Sequence, residues 1–319
     1  MTYAQYGTIQ ATDFNNLVGG NPVTSSGKLN TVWATGGTNA GYGQTAIANI
    51  AAGTQVAASG QWGALVSNTA SAASHQGTSI TSVSAPVAGG TVTYLSAIPT
   101  NLTTIYTSRL NAATQGSTTA NTATIATTWS AAATFTHTVT FANGDAARYF
   151  FNSGGQLKVT CAHANSAAGI NLLFNNLASN VGTVVMSAQN SGAVTISSVS
   201  FNGITKVGGG GNTPTLLPNN GYYALTTSNA NVFTQLASTG PSGYLSTFIR
   251  VIAKSNGTQG SNGDAGSVVT LYTIWDEVPD GLTVGSGSTT TVTAVAPETT
   301  YLPANTWGAI SITGTVSAA

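Results

Sequence analysis

The stretch TFTHTVTF, residues 134–141, decides the fold. From this point on, apolar residues recur at every second position of the sequence. Phe135, His137, Val139 and Phe141 share one side of an extended chain, and threonines occupy the other side. Such alternation is typical of a strand with one face against a core and one face in solvent. The stretch therefore predicts a half-buried β-strand.

Runs of the same kind recur through the rest of the chain, separated by turn residues. They are QLKVTCAH (156–163), GTVVMSA (182–188), AVTISSVSF (193–201), GYYALTT (221–227), NVFTQLA (231–237), YLSTFIRVIAK (244–254), SVVTLYTIWDE (267–277), TTTVTAV (289–295) and WGAISITGTV (307–316). Roughly ten short strands of this spacing are typical of a β-sandwich or jelly roll. We therefore assign residues 129–319 to a β-sandwich domain.

The first part of the chain, residues 1–116, has helical rather than strand spacing. Its apolar residues recur three or four apart, and its segments end at glycine, as helices commonly do. The segments are ATDFNNLVGG (11–20), with Thr12 or Asp13 as N-cap, GKLNTVWATGG (27–37), SGQWGALVSNTASAASHQG (59–77) and TYLSAIPTNLTTIYTSRLNAATQG (93–116). We interpret residues 1–116 as a helical attachment region.

Two segments near this region lack helical spacing. TSITSVSAP, residues 78–86, reads as an extra strand, and STTANTATIATT, residues 117–128, reads as an extended Thr/Ala-rich linker. We place the domain boundary in the linker. The predicted class is α+β, mainly β, with short helices followed by a β-sandwich or jelly-roll-like domain.

The charge content restricts the possible partners. The chain carries 7 acidic and 7 basic residues in 319, and its formal net charge is +0. Nucleic acids and anionic membranes attract clusters of Lys and Arg, and the sequence has no such cluster. Because little charge repulsion keeps copies apart, we predict a homo-oligomer and expect neither nucleic acid nor membrane as a partner.

The cysteine count and the first residues bear on the cellular setting. Cys161 is the chain's one cysteine, so an intramolecular disulfide framework is excluded. MTYAQYGTIQATDFNN, residues 1–16, has no basic segment or long apolar run, so we expect no export signal and no membrane span. A polar, strand-rich composition of this kind is typical of a bacterial surface adhesin, but an adhesin needs an export signal. A component of a particle assembled inside the cell is therefore favoured, and a fragment or a surface protein exported by a partner is the alternative.

Three residues near the first strands have metal-binding side chains: His137, His163 and Cys161. Each histidine has the same parity as the apolar residues of its own strand, so both would face one core if the two strands pair. Two interpretations stay open, a His/His/Cys metal site and a pair of hydrogen-bonded core histidines. We favour the core histidines.

NGDAARYFFNSGG, residues 143–155, connects the two histidine strands. Asn143 and Gly144 are typical of a turn, Asp145 can cap one helical turn, and Arg148 lies three residues later. That spacing permits an ion pair across a turn. We interpret the pair as structural, and a catalytic acid with a guanidinium is the alternative.

The remaining acids include one cluster, Asp276, Glu277 and Asp280, in WDEVPDG after a predicted strand. Two carboxylates across a glycosidic bond would cleave a glycan, and three could bind Ca²⁺. We favour a solvated strand end. Residues 254–267 read as a long hairpin tip, and the sequence has no nucleophile, zinc or phosphate-loop motif.

Several segments together resemble a family of tailed-bacteriophage virion proteins found in tail fibres and other tail or neck appendages. They are YGTIQATDFNNLVG (6–19), GYGQTAIANIAAGTQVAASGQWGALV (41–66), ASHQGTS (73–79) and TFTHTVTFANGDAARYFFNSGGQL (134–157), of which GDAARYFFNSGG (144–155) is the most specific. The resemblance implies a structural protein and supplies no site residue.

The resulting expectation is a structural component of a tailed-phage particle, assembled in the host bacterial cytoplasm. We expect a homo-oligomeric tail fibre, tail sheath or appendage protein, with a trimer favoured and a six-fold ring next. The alternatives are a capsid decoration or neck protein and, from another class, a glycan-binding or glycan-cleaving adsorption module. We expect no enzyme activity, catalytic residue, cofactor or metal; the expected partners are identical subunits, other tail or neck proteins, and, if the adsorption alternative holds, a host glycan.

Overall fold

Short helices precede two antiparallel sheets that pack face to face, so the predicted α+β, mainly β class and its β-sandwich are confirmed. The computed structural model describes residues 10–21, 23, 25–54, 58–87, 96–189 and 192–318. The first nine residues of the segment in which we expect no export signal lie outside the described residues.

A helix forms in each of the four predicted segments, but the second and the fourth end before their predicted glycine stops. The helices are α1 Ala11–Val18, α2 Leu29–Val32, α3 Gly63–Gln76, which follows a π-helical turn at Ala58–Trp62, and α4 Ala97–Thr107. Gly19 and Gly77 end α1 and α3 with φ of 73° and 66°, as a glycine stop requires. The N-cap of α1 is Gln10, not Thr12 or Asp13.

The sandwich consists of a five-stranded and a six-stranded sheet. In spatial order, the first holds β1 Gln115–Thr124, β12 Ser288–Pro297, β3 Gln156–His163, β4 Thr183–Met186 and β7 Ile204–Val207. The second holds β13 Ser311–Ala318, β2 Ala132–Thr140, β11 Val268–Asp276, β10 Phe248–Ser255, β9 Ala230–Leu236 and β8 Thr215–Leu216. A separate hairpin joins β5 Val194–Ile196 to β6 Val199–Phe201.

Strands from the start of the sandwich pair with strands from its end in both sheets. β1 and β3 flank β12, and β2 lies beside β11. This wrapped connectivity resembles that of double-sheet jelly rolls. Two helices complete the domain: α5 Gly144–Asn152 connects β2 to β3, and α6 Ile170–Val181 connects β3 to β4.

Three segments differ from the sequence-based expectation. Residues 78–87 have no regular secondary structure and pair with no described strand, so the predicted extra strand is wrong. Residues 221–227 contain a 3₁₀ turn, Tyr222–Ala224, because the buried Tyr222 ring stacks on Phe151 with centroids 4.1 Å apart. Residues 115–124 form strand β1 of the five-stranded sheet, so most of the predicted linker belongs to the sandwich.

One continuous cluster of buried apolar side chains runs through the helical part and the sandwich. Between the sheets, Phe174 of α6 packs against Trp129 and Trp275 with ring centroids 5.0 and 5.8 Å apart. The two predicted regions therefore share a core, although the domain boundary itself stays a prediction. Within the described ranges, none of the helices combines the length and apolarity needed to cross a membrane.

Candidate functional site

The two strand histidines lie in different sheets. His137 belongs to β2 of the six-stranded sheet and His163 to β3 of the five-stranded sheet. Their side chains are 0% and 3% exposed, which confirms that both face the interior. The two strands do not pair, however, so the condition for a shared His/His/Cys site is not met.

His163 is held in a fully bonded network. Its Nδ1 lies 2.9 Å from Ser288 Oγ and its Nε2 lies 3.3 Å from Asn171 Oδ1, while the indole of Trp129 donates to Ser288 Oγ at 3.2 Å. These partners fit a neutral ring that donates from Nε2 and accepts at Nδ1. Burial lowers the pKa of His163, which agrees with a neutral ring. The hydrogen-bonded core interpretation is confirmed for this residue.

His137 is buried without such a network. Neither of its ring nitrogens makes a well-aligned hydrogen bond in the described part of the chain. Burial lowers its pKa, and the nearby main chain of Asn121 opposes that shift in part. A Cβ at Gly314, on the neighbouring strand β13, would lie 3.0 Å from the ring. The expectation of a core histidine is therefore confirmed for His137 in its burial, but the residue has no well-aligned hydrogen bond such as those of His163.

The third candidate ligand, Cys161, is half-buried on β3. Its sulfur lies 4.0 Å from Thr290 Oγ1, and burial raises the pKa of the thiol to about 12. A thiol with a raised pKa is a poor metal ligand and a poor nucleophile, because the thiolate is the reactive form. Among the residues described, no group of three or more His, Cys, Asp or Glu side chains is placed to hold a metal ion.

Arg148 of α5 is a buried clamp between two parts of the chain. Its Nε and Nη2 donate to Asp145 Oδ1 at 3.1 and 3.0 Å, which confirms the predicted pair. Its Nη1 donates to the carbonyl of Ala40 at 2.6 Å, and Nη2 also donates to that of Thr35 at 2.8 Å. Arg148 is 1% exposed, so its guanidinium is used inside the fold.

The local sequence explains how the clamp is presented. Asn143, not Asp145, caps α5, because its Oδ1 accepts a hydrogen bond from Ala146 N at 2.8 Å. Asp145 therefore lies in the first helical turn and pairs with Arg148 one turn later. The sequence-based assignment of Asp145 as the cap is wrong by two residues.

Further polar contacts surround the Arg148 clamp. We call this region the joint: it is where residues 35–44 and His75 contact helix α5 and the residues just after it. Asn152 donates to the carbonyl of Gly41 at 3.0 Å, and His75 Nε2 lies 3.1 Å from the carbonyl of Ser153. Burial lowers the pKa of His75 to about 4, even though Glu298, 3.9 Å away, acts to raise it.

The three acids at the end of β11 and after it differ in their exposure to solvent. Glu277 is fully buried, its Oε1 accepts a hydrogen bond from Leu282 N at 2.9 Å, and burial raises its pKa. Asp276 is half-buried, and burial followed by the charge of Asp280 raises its pKa, whereas Asp280 is exposed. The solvated interpretation is therefore wrong for Glu277, whose main chain folds back to donate to the carbonyl of Ala131 at 2.8 Å.

The predicted hairpin tip joins β10 to β11, as expected, but it folds back on the sandwich. Asn256 Oδ1 accepts hydrogen bonds from the main chain of Ser267 at 2.9 Å, and Gln259 donates to the carbonyls of Tyr222 and Leu225 at 2.7 and 2.6 Å. The tip is thus a bonded loop and not a free platform for a ligand.

Two surface grooves accompany the helical part. One, of about 250 Å³, lies between α3, α4 and residues 78–83, and Asn101 in its wall bonds both main-chain groups of Thr81. The other, of about 420 Å³, contains Trp33 and Gln44, whose side chains donate to the carbonyls of Thr45 and Ala304. These polar groups serve the fold and do not converge on a ligand position.

The edges of the sandwich differ between its two sides. On one side, which we call the closed side, β7 has 4 residues and β8 has 2, and they are consecutive in the chain. Lys206 of β7 donates to Gln235 Oε1 at 2.9 Å, and Gln235 donates to the carbonyl of Asn212 in the connecting loop at 2.7 Å. Short strands, a lysine and a covering loop are devices that protect a sheet edge.

On the other side, which we call the open side, the edge strands β1 and β13 lie next to each other. They have 10 and 8 residues and contain neither a charged residue nor a proline. Among the described residues, no main-chain group outside their own sheets forms a hydrogen bond with the main chain of either strand. The sequence signal for this feature is the absence of edge charges, which we connect with assembly below.

Searches against family profiles, curated proteins and solved structures returned no match to this chain.

Proposed function

We propose that this chain is a structural subunit of a tailed-bacteriophage particle, built as a homo-oligomer in a tail fibre, tail sheath or appendage. A capsid decoration or neck position is the alternative within the same class. The segments quoted above, which resemble such proteins, support the proposal. One structural observation carries it: several of the few ionisable side chains are used to hold the fold together.

At the joint, the Arg148 guanidinium binds groups from two separate segments of the chain. Within the described residues, the Arg148–Asp145 ion pair lies there, and the neutral His75 ring, whose pKa burial lowers to about 4, lies 3.9 Å from Glu298. The buried groups His163 and Glu277 are likewise bonded inside the fold. A subunit that transmits force needs its parts fixed to one another, whereas an enzyme needs ionisable groups that reach a substrate. The arrangement favours the structural role.

The outer surface supports self-association. Exposed positions of the outer strands are mainly Ser, Thr and Ala, so copies repel one another weakly. The resulting contacts would be apolar and hydrogen-bonded, and we expect them to persist in molar salt, which screens ion pairs strongly. A closed ring is the expected form, with three-fold symmetry favoured and six-fold symmetry next.

Cryo-electron microscopy of intact particles tests the proposal, with mass spectrometry of purified particles to establish that the chain is present. We expect density for the sandwich in the tail or its appendages. Density in the capsid lattice would select the decoration alternative, and absence of the chain from particles would refute the proposal.

A separate test addresses the enzyme alternative. Because Glu277 is buried and bonded to the main chain, we expect the Asp276→Asn, Glu277→Gln, Asp280→Asn variant to assemble normally and to leave any polysaccharide clearing unchanged. The same three changes would abolish activity in a glycosidase that used this cluster. Loss of a measurable depolymerase activity in the folded variant would make the adsorption-enzyme interpretation correct.

A further inference from the structure

His137 lies under the last strand of the six-stranded sheet. On β2 it is the residue beside Gly314 of β13, and a Cβ added at Gly314 would lie 3.0 Å from Nε2 and from Cδ2 of the imidazole. The Nε2 edge of the ring therefore faces the main chain of β13. Because Gly314 has no side chain, the strand covers the ring directly, and His137 is 0% exposed.

The cover over this ring is an edge strand. β13 has 8 residues and pairs with β2 alone among the described strands, and its inner residues Ile312 and Val316 are only half-buried. A strand with few buried side chains and one sheet neighbour opens locally at a lower free energy than the strands between the edges. Movement of β13 is therefore the least costly way to bring water to the His137 ring.

Under this cover the ring has no anion as a partner. β1, β12 and β13 contain no ionisable residue. On β11, Tyr272 and Asp276 lie on the outer face, since their parity is opposite to that of the buried Leu271 beside His137. The polar group that faces the ring is Asn121 of β1, whose buried Oδ1 is itself without a hydrogen bond among the described residues. A charge at this position would be buried and uncompensated, which is unfavourable.

The other two histidines of the chain are placed differently. His163 has a hydrogen-bond partner at each ring nitrogen. His75 Nδ1 lies 3.9 Å from Oε1 of Glu298, so a carboxylate is close to it. His137 is therefore the histidine whose protonation the closed fold does least to compensate.

We propose that β13 is an acid-released latch: when His137 takes up a proton, β13 detaches from β2 and water reaches the imidazolium. At neutral pH the ring is uncharged and the strand stays closed. The latch belongs to the single copy, so it does not depend on the particle assignment.

The direction of the pH response follows from the burial of the ring. Burial lowers the pKa of His137 below the 6.5 of the free side chain, and the main chain of Asn121 opposes this only in part. A base with a lowered pKa in the closed state stabilises that state fully above pH 6.5. This stabilisation is lost as the pH falls from 6.5 toward the lowered pKa, so β13 should open more often in acid.

Hydrogen exchange at pH 7.5 and pH 5 tests the latch, with rates corrected for the intrinsic pH dependence of amide exchange. An open ring with a pKa of about 6.5 multiplies the population of the open strand by at most about thirtyfold over this interval. The protection factors of the bonded amides in residues 311–318 should fall by up to that factor. Those of β9 and β10, in the same sheet, should fall much less.

Two variants and one control assign the response to His137. His137→Leu removes the titrating ring, and Asn121→Asp keeps the ring but places a carboxylate beside it. Both should keep β13 protected at pH 5, because the first binds no proton there and the second supplies the missing anion. His75→Gln removes a different buried histidine, so the fall at β13 should persist in this matched control.

Several outcomes would overturn the latch. One is wild-type protection of β13 that is equal at both pH values, and another is a fall of equal size in β9 and β10, which would report a global loss of stability. A fall at β13 that persists in either folded variant, or that disappears in His75→Gln, would show that the responsible proton is bound elsewhere. Asn121→Asp keeps the test decisive if His137→Leu does not fold.

Discussion

The joint and the open side are two polar regions of one molecule. The polar groups of the joint are hydrogen-bonded to other segments of the chain, whereas the edge strands of the open side have no described main-chain partner outside their own sheets. At the joint, the Arg148 guanidinium makes four hydrogen bonds and is 1% exposed. On the open side, β1 and β13 present uncharged edges with no described main-chain partner beyond their own sheets. A chain with 14 charged residues has thus placed its strongest pair where two parts of the fold meet and none on the long strand edges. The difference separates a region bonded within one copy from long strand edges that have no described main-chain partner beyond their own sheets.

Removing the clamp should have the largest effect on the stability of a single copy. Arg148→Met leaves the Asp145 carboxylate and the carbonyls of Ala40 and Thr35 without their charged donor. Breaking a buried pair in this way costs about 3–5 kcal/mol. Urea unfolding should show this loss, and Arg250→Met on strand β10, whose guanidinium lies over the Phe248 ring, is the control with a much smaller effect.

The comparison predicts that Arg148→Met changes stability without changing which surface assembles. The folded fraction of the variant should therefore keep the oligomer mass of the wild type. A variant as stable as wild type would show that the joint does not hold the two parts together.

The second-largest expected effect is a loss of folding stability at acidic pH, caused by protonation of His75 at the joint. The pKa of His75 is about 4 in the folded chain against 6.5 for the free side chain, with burial as the main cause. A base with a lowered folded pKa stabilises the fold fully above pH 6.5, and this stability is lost as the pH falls from 6.5 to about 4. The expected loss is on the order of 3 kcal/mol, at about 1.4 kcal/mol per pKa unit.

Unfolding free energies measured between pH 7.5 and 4 check this prediction. His75→Gln removes the titrating group, so its stability should fall less steeply over that interval. Part of the slope should remain, because burial also lowers the pKa values of His137 and His163. Parallel curves for wild type and variant would contradict the assignment of the slope to His75.

The smallest effect concerns the covered part of the open side. A Cβ at Gly314 would collide with Asn121 Oδ1, the end of a flexible side chain, and would press on the His137 ring. We expect Gly314→Ala to cost about 1–2 kcal/mol through overpacking. Asn121→Ala in the same chain should recover part of that cost, and the double-mutant cycle gives the coupling.

The neighbouring change Thr315→Ala, at an exposed position, is the control for Gly314→Ala. A cycle with no coupling would show that β1 and β13 do not pack closely within one copy.

Hydrophobic alternation predicted most strands because it records burial on one face. TFTHTVTF became β2 with every second residue buried, and the runs at 267–277 and 289–295 became the core of β11 and β12. Alternation fails where neither face is buried, so residues 117–128 gave no strand signal although β1 runs through them. It also misled at residues 221–227, where stacking of Tyr222 on Phe151 decides the conformation.

In the candidate sites, too, contacts between residues close in sequence could be predicted, and contacts between distant segments could not. Asp145 and Arg148 are three residues apart, so their pairing could be predicted from local spacing. The carbonyls that Arg148 binds lie 108 and 113 residues away, and no local pattern indicates them. The burial of Glu277 likewise depends on a chain reversal that returns its main chain to Ala131.

The sequence by itself determined the class of the protein: a low-charge chain with helical spacing first and a period of two afterwards, ending in a β-sandwich. Only the tertiary structure decided which strands form the edges, which histidine is bonded, and where the few charges lie. The physical reason is the separation along the chain between the residues that interact. Periodicity reports how each residue is buried relative to its neighbours along the chain, whereas edges, clamps and networks are contacts between segments that the fold alone brings together.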